Sequence, residues 1–331
     1  MTKISIEQEV SSMVKLGETV RQIRTNKGLT LADVADDQVT LSFLSKFERG
    51  VADITTTKFL HVLAQIFTTP EEFFYIHSGD NQDGYFNRTI MLGRLFGEDM
   101  SLADRPDIAK TKADLAAREK AAATQYHAAP TLLNMLHWRV QQLMTQEVIG
   151  MLTKQPPVRT DSTGKYSHEA LHYLYNVNDW GEFELYVFTI FAVDMQIDDE
   201  RRLFQVAVKR SEKYSQFHGA PKLCFDIMAN QLYLEMNRRA YAMVGEYLPQ
   251  YAALLDKTPD AEHEITYRFI RAWWLFRTDQ REAGKTIGDS AVQLAKALRM
   301  KDVAADVRAK LDLIATHGAE RDYSFFQQVI E

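Results

Sequence analysis

The sequence predicts an all-α protein. An N-terminal domain of five short helices, containing a helix-turn-helix, precedes a tetratricopeptide-like solenoid of helical repeats. Three observations carry this. Gly and Pro are few, 15 and 8 in 331 residues. Strand-like alternation is scarce, while apolar residues at three- and four-residue spacing dominate. In the second half, helices of roughly 15–20 residues follow one another across short loops, which is the period of helical repeat arrays. A strict repeat consensus is absent.

The N-terminal helices come in order. "VKLGETVRQIRTNK" places Leu16, Val20 and Ile23 on one face and stops at Gly28, a helix C-cap. "TLADVADD" has Thr30 as N-cap and Asp33 in the first turn. A short turn around "DQV", three to four residues long, leads to "TLSFLSKFER", capped by Thr40 and stopped by Gly50. "TTKFLHVLAQIF" turns Phe59, Leu63 and Ile66 inward. "TPEEFFYIH" opens with Thr69 as cap, Pro70 at the first helical position and Glu72 three residues after the cap.

The domain limits follow. Residues 1–78 form the helix-turn-helix domain with a tail at 1–13, "HSGDNQDG" supplies a link at 79–84, and 85–331 form the repeat domain. Helices are expected near 85–97, 108–127, 131–153, 167–177, 181–195, 199–217, 220–237, 239–256, 261–277, 280–299 and 302–316. A composition of 46% hydrophobic and 25% charged residues is ordinary for a globular chain. No apolar run approaches the ~18–20 residues that span a bilayer. "MTKISIEQEV" lacks the apolar core of a signal peptide, so a cytoplasmic protein is expected. The single cysteine, Cys224, excludes an internal disulfide and any cysteine-based zinc cluster, and reads as a small buried apolar residue. With a net charge of −6, contact with nucleic acid must be local.

That local contact is predicted on "TLSFLSKFERG". Leu44 and Phe47 face a small core with Leu16, Ile23, Val34 and Leu63. The opposite face carries Leu41, Ser42, Ser45, Lys46 and Arg49, flanked by Thr40 and joined by Arg21 from the first helix. Serine hydroxyls donate or accept at base edges, Lys reaches guanine O6 or N7, and Leu41 suits a thymine methyl. Arg49 and Arg21 are placed for phosphates. The bland alternative is a solvated polar face. Residues 14–60 hold seven Lys/Arg against six Asp/Glu, so one such unit binds weakly and a homodimer on a roughly palindromic site is expected.

The first helix, "KGLT", "ADVA", the turn and "TLSFLSKFERG" together resemble the phage-repressor type of helix-turn-helix domain. In that resemblance Arg24 and Glu48 stand where the family has an internal pair bracing helix one against the recognition helix. Leu31 stands where many members place a phosphate-holding glutamine, and Leu41 where they place a polar base reader. The longer stretch "FLSKFERGVADITTTKFLHVLAQIFTTPEEFFYIHS", with "NVNDWGEFELYVFTIF" further on, resembles the Rgg/GadR/MutR transcriptional regulators of low-GC Gram-positive bacteria. The resemblance implies a cytoplasmic dimeric regulator whose helical repeat domain in several members binds a short signalling peptide; RNA polymerase is a further candidate partner, and no cofactor is expected. Asn230 matches an Asn of Rgg-like proteins and lies mid-helix, where propensity gives it no reason to be. Tyr233 and Asn237 share its face, and Arg271 with Trp274 on a later helix offer a charge and an apolar wall. These five are the expected peptide contacts; an Asn230 that merely bonds a neighbouring helix is the alternative.

A rival reading rests on "HEALH". His168 and His172 at i and i+4 with Glu169 between them are the zincin pattern, with Glu182 or Glu184 as third ligand, which would make the chain a helix-turn-helix protein fused to a zinc metallopeptidase. The motif lies in a first helical turn and lacks the glycine and third histidine of longer zinc motifs. Neither metal nor catalysis is therefore expected. The acidic "DDER" at 198–201 reads as a helix N-terminus complementing the dipole. The aromatics of "HYLYNVNDW" and "FIRAWWLF" read mostly as core.

Overall fold

The computed structural model describes residues 16–78, 108–152, 164–212 and 222–319. The tail at 1–13, the link at 79–84 and the helix expected at 85–97 lie outside the described residues. All regular structure among the described residues is helical. The chain divides into two compact units, Met1–Gly93 and Arg94–Glu331.

The first unit begins with α1, helical over 16–26. It ends where Gly28 takes a φ of +71° and Leu29 N–H reaches the Arg24 carbonyl, a left-handed cap that costs glycine nothing. In α2 (Leu31–Val34) the Thr30 hydroxyl accepts the Asp33 N–H, and the Asp33 carboxylate accepts the Thr30 N–H at 2.7 Å. This single turn stops at Val34, earlier than "TLADVADD" suggests. The link to α3 accordingly spans 35–40, longer than the three to four residues expected from "DQV". The cause is Asp36, whose Oδ1 accepts the N–H groups of Gln38 and Val39 at 2.9 and 3.0 Å and folds the chain into an Asx turn.

The remaining helices of this unit are α3 (Leu41–Glu48), α4 (Thr56–Gln65) and α5 (Pro70–Ser78). Thr40, Thr55 and Thr69 cap their starts through side-chain oxygens. At the end of α3, Gly50 adopts φ +68° and Val51 N–H closes on the Lys46 carbonyl. Val20, Ile23, Val34, Leu44, Phe47, Val62, Leu63, Ile66 and Phe73 form one core, with Leu16 and Leu31 packed at its edge. Phe73 is enclosed edge-on by Phe59 and Phe74 at 5.0 and 5.3 Å between ring centres.

The second unit follows as α6 (Ile108–Ala128), α7 (Leu132–Leu152), α8 (His168–Asn176), α9 (Glu182–Phe191), α10 (Ile197–Ser211), α11 (Leu223–Asn237), α12 (Tyr241–Lys257), α13 (Ala261–Arg277), α14 (Arg281–Ala297) and α15 (Lys301–Thr316). Most limits lie within three residues of those expected; α9 and α10 stop at Phe191 and Ser211, short of the expected 195 and 217, and the expected helical residues 213–217 and 220–221 lie outside the described residues. Helices α6 and α7 pack as a hairpin, and from α8 onward each helix packs on the next. In addition α9 meets α11, α11 meets α13 and α13 meets α15, so these four form one layer of a stack while α10, α12 and α14 form the other. That position explains the sequence of α11: enclosed by neighbours on both layers, it buries thirteen of its fifteen residues and shows little amphipathicity. Close approach between α13, α14 and α15 is made at Gly284 and Gly288, where a Cβ would meet the Ala272 carbonyl at 3.1 Å and Leu311 at 2.7 Å.

Candidate functional site

The outer face of α3 is built by what lies beneath it. Leu44 and Phe47 are buried at 0% and 3% exposure and fix the rotation of the helix. Phe47 sits where α3 crosses α1 at Gly17, and a Cβ on Gly17 would lie 2.0 Å from the Phe47 carbonyl oxygen. Beside that crossing Arg24 grips Glu48 with two hydrogen bonds, Nε to Oε1 at 2.7 Å and an Nη to Oε2 at 2.8 Å. Its other Nη donates to the Leu29 carbonyl at 2.6 Å. Both side chains are almost wholly buried. The hydrogen bond and charge of Glu48 outweigh burial and push the Arg24 guanidinium up. This is the bracing pair that the resemblance implies.

With α3 held in this way, Thr40, Leu41, Ser42, Lys46 and Arg49 are exposed and Ser45 is half-buried on the same outer face. The Thr40 hydroxyl accepts the Phe43 N–H, which leaves its own proton available to an acceptor outside. Leu41 is 49% exposed on this face, so its methyl groups are open to an apolar group brought against it. Arg49 Nε donates to the Ser45 carbonyl, holding the guanidinium along the helix end. An open depression of about 540 Å³ is lined by Glu18, Arg21, Gln22, Thr25, Glu48 and Arg49. Arg21 on α1 and Arg49 at the end of α3 thus line one depression. Leu31, by contrast, packs against the core and offers nothing to a phosphate.

Sequence reasoning missed three contributors to this unit. Gly17 carried a signal, a glycine inside a helical pattern. Lys27 enters the sequence reading only as one of the seven basic residues of 14–60. In the fold its Nζ is spent on the Ile66 and Phe67 carbonyls and the Thr68 hydroxyl, at 2.8–2.9 Å. Asp36 bonds His61 Nε2 at 2.6 Å, tying the turn before α3 to α4. The backbone N–H groups and His61 that bond Asp36 hold its carboxyl below the usual range against the opposing effect of burial.

In the second unit, Asn230, Tyr233 and Asn237 lie on α11, and Arg271 and Trp274 on α13, the same layer of the stack. Asn230 is 4% exposed and its amide donates to the Thr189 carbonyl of α9 at 3.4 Å. Tyr233 is buried against Phe269 and Trp273. Asn237 donates back to the Tyr233 carbonyl at 2.8 Å. Trp274 is half-buried, donates to the Tyr241 carbonyl and packs on Gly245, whereas Arg271 is exposed. The five therefore share a layer but not one open surface.

The zincin reading has no support in the geometry. His168 and His172 are exposed, but the Glu169 carboxylate is held by Arg139 from α7 through two hydrogen bonds, so it is not free to activate water. Glu184 accepts the Gly181 N–H and the Tyr173 hydroxyl. Among the described residues no three His, Cys, Asp or Glu side chains converge as a metal set. The acidic start of α10 serves structure: Asp199 accepts the Tyr175 hydroxyl, Glu200 pairs with Arg238, and Arg201 grips Glu235. Among the described residues no helix is long and apolar enough to cross a membrane.

Residues 117–309 match the family described as HTH-type transcriptional regulator Rgg, C-terminal domain. Among solved structures the chain is similar to a candidate transcriptional regulator from Listeria monocytogenes EGD-e, at 19% identity and a TM-score of 0.70, covering 91% of this chain and 97% of that one. It is also similar to a Cys-to-Ser form of the Streptococcus dysgalactiae SHP pheromone receptor Rgg2, at 17% identity and a TM-score of 0.59, covering 90% and 98%. A third likeness is to PrgX in its complex with iCF10, at 10% identity and a TM-score of 0.60, covering 96% of each chain.

Proposed function

Because the chain belongs to the Rgg family of helix-turn-helix transcriptional regulators, we propose that it binds specific DNA as a homodimer under the control of a short peptide held in the repeat domain. The observation that carries the DNA half is the outer face of α3, where hydroxyls, one lysine and one exposed leucine project from a helix clamped by Gly17 and the Arg24–Glu48 pair. In this reading Ser42, Ser45 and Lys46 read base edges, Leu41 meets a thymine methyl, and Thr40, Arg21 and Arg49 hold phosphates.

The peptide half is supported by the fold shared with a pheromone receptor and by a stack of helices in which α9, α11, α13 and α15 pack in one layer. On α13 of that layer Arg271 is exposed, while Asn230 and Tyr233 of α11 are buried. An extended peptide has unpaired backbone groups that must find partners when buried. Asn230 and Asn237 amides supply both donors and acceptors once released from Thr189 and Tyr233, and Arg271 suits a peptide carboxylate. The test is mass spectrometry of small molecules released by denaturing the protein purified from its own host. A stoichiometric short peptide is expected, retained less well by Arg271→Ala. Protein purified at full activity on DNA with no released peptide, and no peptide response, would remove this half of the reading.

A further inference from the structure

Where α10 packs on α11, the second unit buries a cluster of charges. Glu200 and Arg201 adjoin near the start of α10; Gln231 and Glu235 lie on α11, and Arg238 is its C-cap. The side chains of Glu200 and Glu235 are 0% exposed and that of Arg238 2%, while Arg201 stands at the rim at 32%. Gln231 is buried as well.

The two ion pairs are served unequally. Arg201 grips Glu235 with its Nε–Nη2 edge at 2.8 and 2.9 Å, and the Gln231 amide adds a third bond to Glu235 at 3.2 Å. Arg238 meets Glu200 end-on, through one bond from Nη1 to Oε2 at 2.5 Å. Arg238 Nε and Nη2, Glu200 Oε1 and Gln231 Oε1 are buried without a hydrogen-bond partner. A polar atom withdrawn from water and left unpaired is costly, and more so on a charged group. Arg24, Arg139 and Arg201 each close the Nε–Nη2 edge on both oxygens of a glutamate, the strongest geometry that edge has. Arg238 leaves the same edge open with Glu200 already beside it. Burial pushes the Glu200 carboxyl up against the charge and hydrogen bond of Arg238, as fits a carboxylate short of donors.

We propose that the α10–α11 contact is a two-position joint, in which a small slide of α10 along α11 closes the open edge of Arg238 on both oxygens of Glu200. Register is the reason. Glu200 and Arg201 are neighbours on α10 and move together, against Glu235 and Arg238 three residues apart on α11. The register seen here completes the Arg201–Glu235 fork and leaves Arg238 end-on, with Nη1 still 3.8 Å from Glu235 Oε1. The other register pairs three of the four orphaned atoms. It loosens Arg201, which already stands at the rim and can give its freed N–H groups to water. Neither register completes both forks, so the two stay close in energy, and packed helices pass between such arrangements by small shifts. The slide resets α10 against both of its packing partners, α9 and α11. The joint stands apart from the DNA and peptide readings above.

The test is methyl relaxation dispersion on the full chain, which reads the μs–ms window of helix register shifts. Leu203, buried on α10, is the reporter, and Val292, buried on α14, the control. Leu203 should show exchange and Val292 none. Arg238→Lys keeps the charge that meets Glu200 end-on but has no second edge, so the exchange at Leu203 should vanish. Glu200→Gln, with one acceptor oxygen in place of two, should silence it likewise. The thermal midpoint should fall less in Arg238→Lys than in Arg201→Lys, which breaks a completed fork. An Arg238 that only holds the fold predicts a lowered midpoint with no exchange to silence. A flat profile at Leu203 in the parent, equal exchange at Val292, or exchange that persists in either variant overturns the joint.

Discussion

Arg24 and Glu48 meet as a buried fork between α1 and α3, two hydrogen bonds of 2.7 and 2.8 Å whose charges are withdrawn from water. The pair does not face outward, yet it sets the angle at which Ser42, Ser45 and Lys46 leave the surface. Removing one partner strands the other charge in the core. Glu48→Gln should lower unfolding stability of the first unit by about 3–5 kcal/mol, whereas Arg24→Met with Glu48→Leu should cost far less. Urea unfolding followed by tryptophan-independent far-UV signal separates the two; equal losses in single and double variants would remove the pair from this role.

Gly17 makes a second bracing claim with the opposite expectation from helix propensity. Alanine in a helix interior is normally favoured over glycine by about 1 kcal/mol. Here a Cβ would sit 2.0 Å from the Phe47 carbonyl oxygen. Gly17→Ala should therefore destabilise the unit by about 1–3 kcal/mol, the range for overpacking, and weaken DNA binding with it. A variant as stable as the parent would mean that α1 and α3 separate at little cost.

Lys46 and Arg49 lie three residues apart on α3 and are expected to differ in kind. Lys46→Ala should cost about 1–3 kcal/mol on the preferred sequence and relax specificity. Arg49→Ala and Arg21→Ala should weaken all sequences alike and reduce the salt slope of binding by about one unit each. Fluorescence anisotropy over a salt series reads both. An unchanged ratio of specific to random binding in Lys46→Ala would exclude Lys46 from base reading.

His263 supplies a pH dependence in the repeat domain. Its ring stacks on Phe225, Nδ1 lies 2.8 Å from Asp260 and Nε2 3.2 Å from Asp226, so both nitrogens face carboxylates as only the protonated ring can satisfy. Burial lowers its pKa, but the hydrogen bonds and charges of Asp226 and Asp260 prevail and hold it above the usual value. A raised folded pKa means stability that is complete below the unfolded value, near 6.5, and is lost as pH rises through the folded one. Asp260 is held low, by bonds to His263 that outweigh burial, so its share is lost only in strong acid. The thermal midpoint should thus fall more between about pH 6 and 8.5 in the parent than in His263→Gln. Parallel profiles would show that the clamp contributes nothing.

Much of this was legible in the sequence because local rules agree with the fold. The caps at Thr30, Thr40 and Thr69 and the stops at Gly28 and Gly50 announce helix limits, and the three-four spacing of Leu16, Val20 and Ile23 announces their core face. The link before α3 is longer than "DQV" suggests because Asp36 spends its side chain on backbone N–H groups, which ends α2 early. What stayed hidden depends on partners distant along the chain. Lys27 looks like a free surface cation until the α4–α5 turn arrives beside it, 39 residues away. Asn230, Tyr233 and Asn237 share a helical face in the sequence, but α11 is enclosed on all sides, so that face meets α9 and α13. The Glu169 carboxylate has the right spacing for zinc chemistry, and only the fold brings Arg139 to it.

The most direct test of the DNA-binding claim is selection of fragments from a random double-stranded pool by the purified full chain, followed by sequencing. The expected result is one roughly palindromic site with half-sites about one helical turn apart. Its enrichment should be lost in Ser42→Ala/Lys46→Ala while weak, salt-sensitive binding to random DNA remains. Recovery of no preferred sequence, or of the same site by the double variant, would contradict the assignment of the α3 face to base recognition.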